Sequence, residues 1–328
     1  MIDGFGRKID YLRISVTDRC NFRCHYCMPE KQSFLPHNAL LDYTEIALLV
    51  DRFIAHGIRK VRLTGGEPLV RRDIDVLIGT LGQHVKAGRL DELTMTTNGS
   101  LLAEHAAMLA SAGVRRINVS LDSLDPMKFA KITRRGDLSQ VLDGIAAAKL
   151  HNIHIKINMV ALKSQNESDL LPMAQMCADN GFDLSIIETM PLGEGMASRQ
   201  DDYIALDEFI APLRLQNSVE PIAHRSAGPA RYWQVEPLNL RLGLITPMSN
   251  NFCDDCNRLR LTTDGKIYMC LGSQMHVDFK NAIRSGGLDA VDRLLQNALR
   301  LKPERHDFEQ QLLDPSLRLD RHMNATGG

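Results

Sequence analysis

No run in the 328-residue sequence reaches the roughly 18 consecutive apolar residues that a membrane span needs. The opening residues, Met1-Ile2-Asp3-Gly4-Phe5-Gly6, lack the apolar core of a signal peptide. Net charge is almost absent too. The 39 basic and 40 acidic side chains leave −1, without the basic excess of a general nucleic-acid or membrane-surface binder. Internal repeats and low-complexity linkers are missing. These absences point away from membrane and nucleic acid and predict a cytoplasmic protein, for which monomer and homodimer are equally acceptable. What is present is ordinary globular material, 44% hydrophobic and 24% charged, enough for a full core. At roughly 100–200 residues per domain the length suggests two domains, although α/β barrels run larger as single units. Local basic clusters could still hold a small anion.

Cysteine is scarce and unevenly placed. Of the seven, six fall in two tight groups near opposite ends of the chain: Cys20, Cys24, Cys27 and Cys253, Cys256, Cys270. In a reducing compartment such groups mean metal or redox chemistry rather than disulfides. Neither group has a fourth cysteine. Cys177 stands alone on a helical segment and reads as a buried structural thiol.

Strand-like alternation at 9–16 is followed by a helical pattern at 42–56, with Asp42 or Thr44 as cap and Gly57 as stop. Further strands are expected at 60–64, 92–97, 116–120, 153–160 and 184–189, and helices at about 71–83, 103–111, 138–150 and 168–179. Six β-α units imply a parallel sheet covered by helices. They are fewer than the eight that close a barrel, so an incomplete, TIM-like (β/α)6 barrel is expected. From about residue 200 the alternation fails: Pro221, Gly228-Pro229 and Pro237 interrupt it. Short strands follow at 241–245, 258–263 and 266–269, helices at about 277–284 and 287–301, then a polar tail. The reading is a barrel over 1–235 and a region over 236–328 that packs over its open side.

The run Cys20-Asn-Phe-Arg-Cys24-His-Tyr-Cys27 is C-x3-C-x2-C directly after the first strand, at the end where a parallel barrel builds its active site. Three thiolates can hold three irons of a [4Fe–4S] cube and leave the fourth open. Structural zinc and electron-transfer cubes normally use four ligands. Zinc completed by His25, or simple buried thiols, are the alternatives. The second group, Cys253-Asp-Asp-Cys256-Asn-Arg258-Leu-Arg260 with Cys270, is C-x2-C-x13-C. A second cube with an open iron competes here with zinc completed by His276. An open iron is a Lewis acid for a nitrogen or oxygen ligand. Arg258 and Arg260, two apart on a strand, share a face and offer guanidinium forks to phosphate or a purine carbonyl.

The first cysteine loop resembles that of radical S-adenosylmethionine (SAM) enzymes. Thr64-Gly65-Gly66-Glu67-Pro68, Thr96-Thr97-Asn98-Gly99 and Ser120-Leu-Asp122, each after a strand, are similar to that superfamily's further motifs. The resemblance implies a cluster whose open iron chelates the methionine end of SAM and whose electron yields a 5′-deoxyadenosyl radical. It also implies SAM contacts from Tyr26, Gly66, Glu67, Asn98, Ser120 and Met190. Phe252-Cys-Asp-Asp-Cys-Asn-Arg-Leu-Arg with Cys270, and the final Gly327-Gly328, extend the likeness to the GTP 3′,8-cyclase family over nearly the whole chain.

That second likeness implies a lyase with two [4Fe–4S] clusters that joins C3′ of GTP to C8 of its guanine, the first step of molybdenum-cofactor biosynthesis. GTP would be held by Arg13, Arg62, Thr96, Lys156, Arg258, Leu259 and Arg260, with the Gly-Gly tail entering the site. An electron donor such as flavodoxin or ferredoxin and a downstream cyclic pyranopterin monophosphate synthase are the implied partners. Leu-Gly-Ser-Gln-Met-His after Cys270 and the tail Asn324-Ala-Thr-Gly-Gly depart from the family's commoner forms. A radical SAM maturase acting on a peptide, with an auxiliary cluster, and a zinc-binding interaction module are the alternative readings.

Overall fold

A computed structural model describes residues 1–193, 201–226, 228–317, 319 and 321–327. Six strands follow one another across a parallel sheet: β1 (Tyr11–Ser15), β2 (Lys60–Thr64), β3 (Glu92–Thr97), β4 (Arg116–Ser120), β5 (His154–Val160) and β6 (Asp183–Ile187). The helices between them are α1 (Tyr43–Ala55), α2 (Ile74–Lys86), α3 (Leu102–Ser111), α4 (Pro126–Thr133), α5 (Leu138–Leu150) and α6 (Leu170–Asn180). The expected six β-α units are therefore present and form an open, incomplete barrel. α1 starts on a capping box: Asp42 accepts from the Glu45 N–H at 2.7 Å, and Glu45 accepts from the Asp42 N–H at 2.8 Å. α4 had not been expected. Its signal is Asp125, which accepts from the Met127 and Lys128 N–H groups, followed by Pro126 at the first helical position.

From residue 218 onward the chain also lengthens the sheet at both edges. β10 (Arg258–Leu261) pairs in parallel with β1, and β11 (Lys266–Tyr268) and β12 (His276–Asp278) continue antiparallel beyond it. At the other edge β9 (Leu240–Ile245) pairs in parallel with β6, then β8 (Arg231–Glu236) and β7 (Ser218–Ile222) follow antiparallel. The prolines that seemed to end the pattern are compatible with it. Pro221 sits on the edge strand β7, where a missing N–H costs no ladder partner, and Pro229 and Pro237 lie in the loops on either side of β8. The helix expected at 277–284 is largely absent. β12 runs into a single turn, Phe279–Asn281, and a wider π turn, Ala282–Gly286, before α7 (Gly287–Arg300). The polar tail carries α8 (Phe308–Leu313) and α9 (Met323–Thr326). Among the described residues no helix is long and apolar enough to cross a membrane.

The strands alternate strictly. Leu12, Ile14, Val61, Leu63, Leu93, Met95, Ile117, Val119, Ile155, Ile157, Leu259 and Leu261 are buried in the main hydrophobic core. The intervening positions, Tyr11, Arg13, Arg62, Thr96, Arg116, Asn118, Lys156, Asn158, Arg258 and Arg260, line a cavity. Parallel barrels ordinarily fill their interior with branched apolar side chains. This one holds polar and cationic groups there, which positions a site for an anion.

Candidate functional site

The first cysteine loop leaves β1 and is stapled on two sides. The Gly66 N–H donates to Thr17 O at 2.8 Å and the Glu67 N–H to Arg19 O at 2.9 Å. A Cβ on Gly66 would lie 2.3 Å from Arg19 O, so the glycine pair makes room for the loop's own backbone. On the other side the N–H groups of Arg23 and His25 donate to Thr133 O and Ile132 O at the end of α4, and Phe22 meets Phe129 edge-on. The loop presents Cys20, Cys24 and Cys27 as free, mutually interacting thiols. Burial is the main cause that pushes Cys20 and Cys27 up to about 12 and Cys24 well above the usual thiol range. Three neighbouring sulfurs on one short loop are a donor set for a metal cluster.

The residues expected around SAM form a frame for this loop. Glu67, fully buried, accepts from Thr97 Oγ1 at 2.8 Å and from the N–H groups of Asn98 and Leu69 at 2.6 and 3.1 Å. Its carboxyl is raised to about 7, by burial against those hydrogen bonds. Asn98 Nδ2 donates to Asn21 Oδ1 at 2.8 Å and lies 3.8 Å from Cys20 Sγ. Tyr26 donates its hydroxyl to Asp122 at 2.7 Å, which ties the loop to the end of β4. Ser120 ends β4 opposite Asn158. Met190 follows β6 and lines the cavity. Glu67 and Tyr26 thus spend their polar atoms on neighbouring loops, and their place is to hold shape.

Cys253, Cys256 and Cys270 converge from the loop before β10 and the segment after β11. Each sulfur receives a backbone N–H: Cys253 from His306, Cys256 from Arg258 and Cys270 from Gly272. Cys256 is lowered to about 6; burial opposes this, and Arg258 followed by Lys302 outweigh it. The proposed fourth ligands for zinc are engaged elsewhere. His25 faces Gln165 and Asp202, and His276 Nδ1 faces Gln274 O. Among the described residues no three His, Cys, Asp or Glu side chains converge on a single ion. A four-iron cube binds each sulfur at a different corner and so accepts a wider triad than zinc does. Three sulfurs apiece are the donor set of a cube with one corner left open.

The second triad forms one wall of the cavity. Arg260, Arg13 and Arg62 stand side by side across β10, β1 and β2. Thr96, Asn118 and Lys156 form a second row across β3, β4 and β5. Arg62 donates to Thr96 Oγ1 at 3.1 Å and also to the Tyr11 hydroxyl. Lys156 donates to the Tyr232 hydroxyl at 2.7 Å. Burial, reinforced by Arg260, drives Arg13 well below the usual guanidinium range. Burial with Arg258 brings Arg260 to about 10, and burial with Arg116 brings Lys156 to about 7. The cavity therefore concentrates positive charge that water no longer screens, and an anion would relieve it. The tail touches both sites: the Asn324 N–H donates to Cys27 Sγ, and Arg260 Nη1 donates to Gly327 O at 2.6 Å.

Comparison with known proteins decides the family. The model of the Radical SAM superfamily matches residues 14–177, and that of Molybdenum Cofactor Synthesis C matches 182–308. The GTP 3′,8-cyclases of Brucella canis and Brucella abortus are each 50% identical over 331 residues, covering 100% of this chain and 96% of theirs. The chain belongs to the GTP 3′,8-cyclase family. Among solved structures, Streptococcus suis SuiB bound to S-adenosylmethionine superposes with a TM-score of 0.64 at 15% identity, over 97% of this chain and 77% of that one. That likeness concerns the fold alone.

Within this family frame the structure brings Arg13, Arg62, Thr96, Lys156, Arg258, Arg260, Met190 and the second triad to one cavity. Tyr26, Gly66, Glu67, Asn98 and Ser120 lie outside its lining, and among the residues read as GTP contacts Leu259 is the exception. It is fully buried on the opposite face of β10, in the hydrophobic core, and gives the cavity no side chain. Gly328 lies outside the described residues. The sequence reading missed Arg116, Asn118, Asn158 and His306, which also line the cavity, and Tyr232, whose hydroxyl takes the Lys156 ammonium. Arg116/Asn118 and Lys156/Asn158 repeat the two-residue polar spacing that made Arg258/Arg260 conspicuous, so the signal was there on the strands themselves. Tyr232 and His306 left none.

Proposed function

We propose that this chain is the lyase that converts GTP to 3′,8-cyclo-7,8-dihydro-GTP at the start of molybdenum-cofactor biosynthesis. The observation that carries the reading is the buried row Arg260–Arg13–Arg62 beside a three-cysteine wall. GTP brings several negative charges and a nitrogenous base, and the cavity offers a match for each. When bound at Cys20, Cys24 and Cys27, the first cluster and SAM would supply the radical chemistry that joining C3′ to C8 requires, with one electron and one proton closing the balance.

The chain's own residues position and neutralise. Arg13, Arg62, Lys156, Arg258 and Arg260, with Arg116 behind them, hold the triphosphate and ribose, and Thr96 orients Arg62 toward them. Cys253, Cys256 and Cys270 would hold the second cluster, which would supply a Lewis-acid site for the guanine. Tyr26, Gly66, Glu67, Asn98, Ser120 and Met190 shape the SAM site above Cys20, Cys24 and Cys27. Gly327, held by Arg260, carries the tail into the cavity. A low-potential donor such as flavodoxin or ferredoxin supplies electrons, and a cyclic pyranopterin monophosphate synthase consumes the product. The oxygen-labile clusters suit a cytoplasmic setting.

Anaerobic reconstitution tests this directly. About eight irons per chain are expected, together with a product of the same mass as GTP that forms only with SAM and reductant. Four irons, or SAM cleavage that leaves GTP untouched, would sink the reading.

Binding should also be linked to pH. Lys156 sits near 7 in the free protein, so raising the pH through that value discharges it. The triphosphate favours the protonated form, so binding takes up a proton and weakens as pH rises from about 6 to 8, by at most about tenfold per unit. Calorimetry in buffers of different ionisation enthalpy reads that uptake, and Lys156→Met should remove this contribution. Equal uptake in wild type and variant would show that Lys156 does not face the phosphates.

A further inference from the structure

Lys302 follows α7 and has no part in the cavity. It is 2% exposed, yet among the described residues its hydrogen-bond partners include no carboxylate. Its three donors are all used: Nζ lies 2.7 Å from Met269 O, 3.1 Å from Arg258 O and 3.4 Å from Cys256 Sγ. Two of these partners are neutral carbonyls. A buried ammonium needs a negative counterpart, and the sulfur is the partner that becomes anionic when it binds metal. The two carbonyls are also informative. Met269 immediately precedes Cys270, and Arg258 begins the strand that follows Cys256, so one ammonium ties together the two chain segments that bring those ligands to the triad.

A parallel device stands on the third ligand. Arg7, paired with Asp3 at 2.6 Å, donates through Nη1 to Cys253 O at 2.8 Å and to Glu304 O at 2.8 Å, and through Nη2 to Pro303 O at 2.7 Å. The His306 N–H completes the set on Cys253 Sγ. Residues 302–305 therefore form a strap along the second triad outside the cavity lining, and His306 returns the chain to the cavity.

We infer that Lys302 is a positioning residue for the second cluster, clamping the segments that carry Cys256 and Cys270 and placing a positive charge on the Cys256 sulfur. The inference rests on the reading that this triad holds a cluster. Reduction adds negative charge to a cluster, and a cation or N–H donor at a ligand sulfur stabilises that form. Lys302 should therefore hold the second cluster's reduction potential up and keep its iron from being lost.

The test uses the full chain, anaerobically reconstituted, with iron analysis and a redox titration followed by electron paramagnetic resonance. Lys302→Gln keeps amide hydrogens for the carbonyls but removes the charge, so it remains informative should Lys302→Met fail to fold. Lys302→Gln is expected to shift the second cluster's midpoint to lower potential and leave the first cluster's unchanged. In Lys302→Met the shift should be larger, with iron falling from about eight toward about four per chain while the first cluster's signal persists. A Lys302→Gln protein with both clusters full and both midpoints at wild-type values overturns the inference. Wild-type protein with a first cluster only overturns the second-cluster reading itself, and the role of Lys302 falls with it.

Discussion

Cys24→Ala should abolish SAM cleavage and halve the iron, from about eight to about four atoms per chain. Cys24 is the middle ligand of the first loop and interacts with both Cys20 and Cys27. Two remaining thiols cannot hold a cube against its neighbours' burial. The fold should survive, because the loop is fixed by backbone bonds to β2 and α4 and by Phe22 against Phe129, none of which involves the Cys24 sulfur. Loss of 5′-deoxyadenosine production, measured with dithionite as reductant, is the readout. Cys177→Ala is the control. Cys177 is buried in the hydrophobic core on α6, far from both triads in the sequence, and its loss should cost stability but no iron. Persistent SAM cleavage in Cys24→Ala would remove the chemical basis of the proposed function.

Arg260→Ala is expected to separate substrate handling from radical generation. Removing one member of a buried, hydrogen-bonded charge pair costs about 2–5 kcal/mol, so kcat/KM for GTP should fall by roughly 30- to 5,000-fold. Slow, uncoupled SAM cleavage should continue, since the first triad does not depend on Arg260. A second consequence follows from the electrostatics. In the free protein Arg260 is the leading charged neighbour that depresses Arg13, after burial itself. Deleting it relieves like-charge repulsion at a buried site. The variant without GTP should therefore melt at a higher temperature than wild type, and GTP should stabilise it less. The lost bond to Gly327 O opposes the gain but lies at the chain's end. A variant that melts lower and turns over GTP at the wild-type rate would show that the arginine row is structural.

Much of this was legible before any coordinates. The six β-α units showed in strand-period and helix-period patterning with caps such as Asp42, and both cysteine triads showed in their spacing. Leu259 shows the limit of carrying a motif across residue by residue. It lies between two cavity arginines in sequence, but alternation turns its side chain to the other face. The C-terminal strands were partly recognised as strands, yet nothing local said that β9 and β10 would extend the sheet at opposite edges, because pairing partners are chosen by contacts over long sequence separations. α4 was missed although Asp125-Pro126 marked its start.

The order of residues alone determined which atoms could do chemistry: two sets of three sulfurs and a series of basic side chains on strand faces, since ligand type and strand period are local properties. Only the folded chain decided that those basic groups share one buried cavity with the second triad, that Glu67 and Tyr26 brace loops, and that Lys302 reaches Cys256. These are relations across hundreds of residues, fixed by burial and by the need of each buried polar atom for a partner.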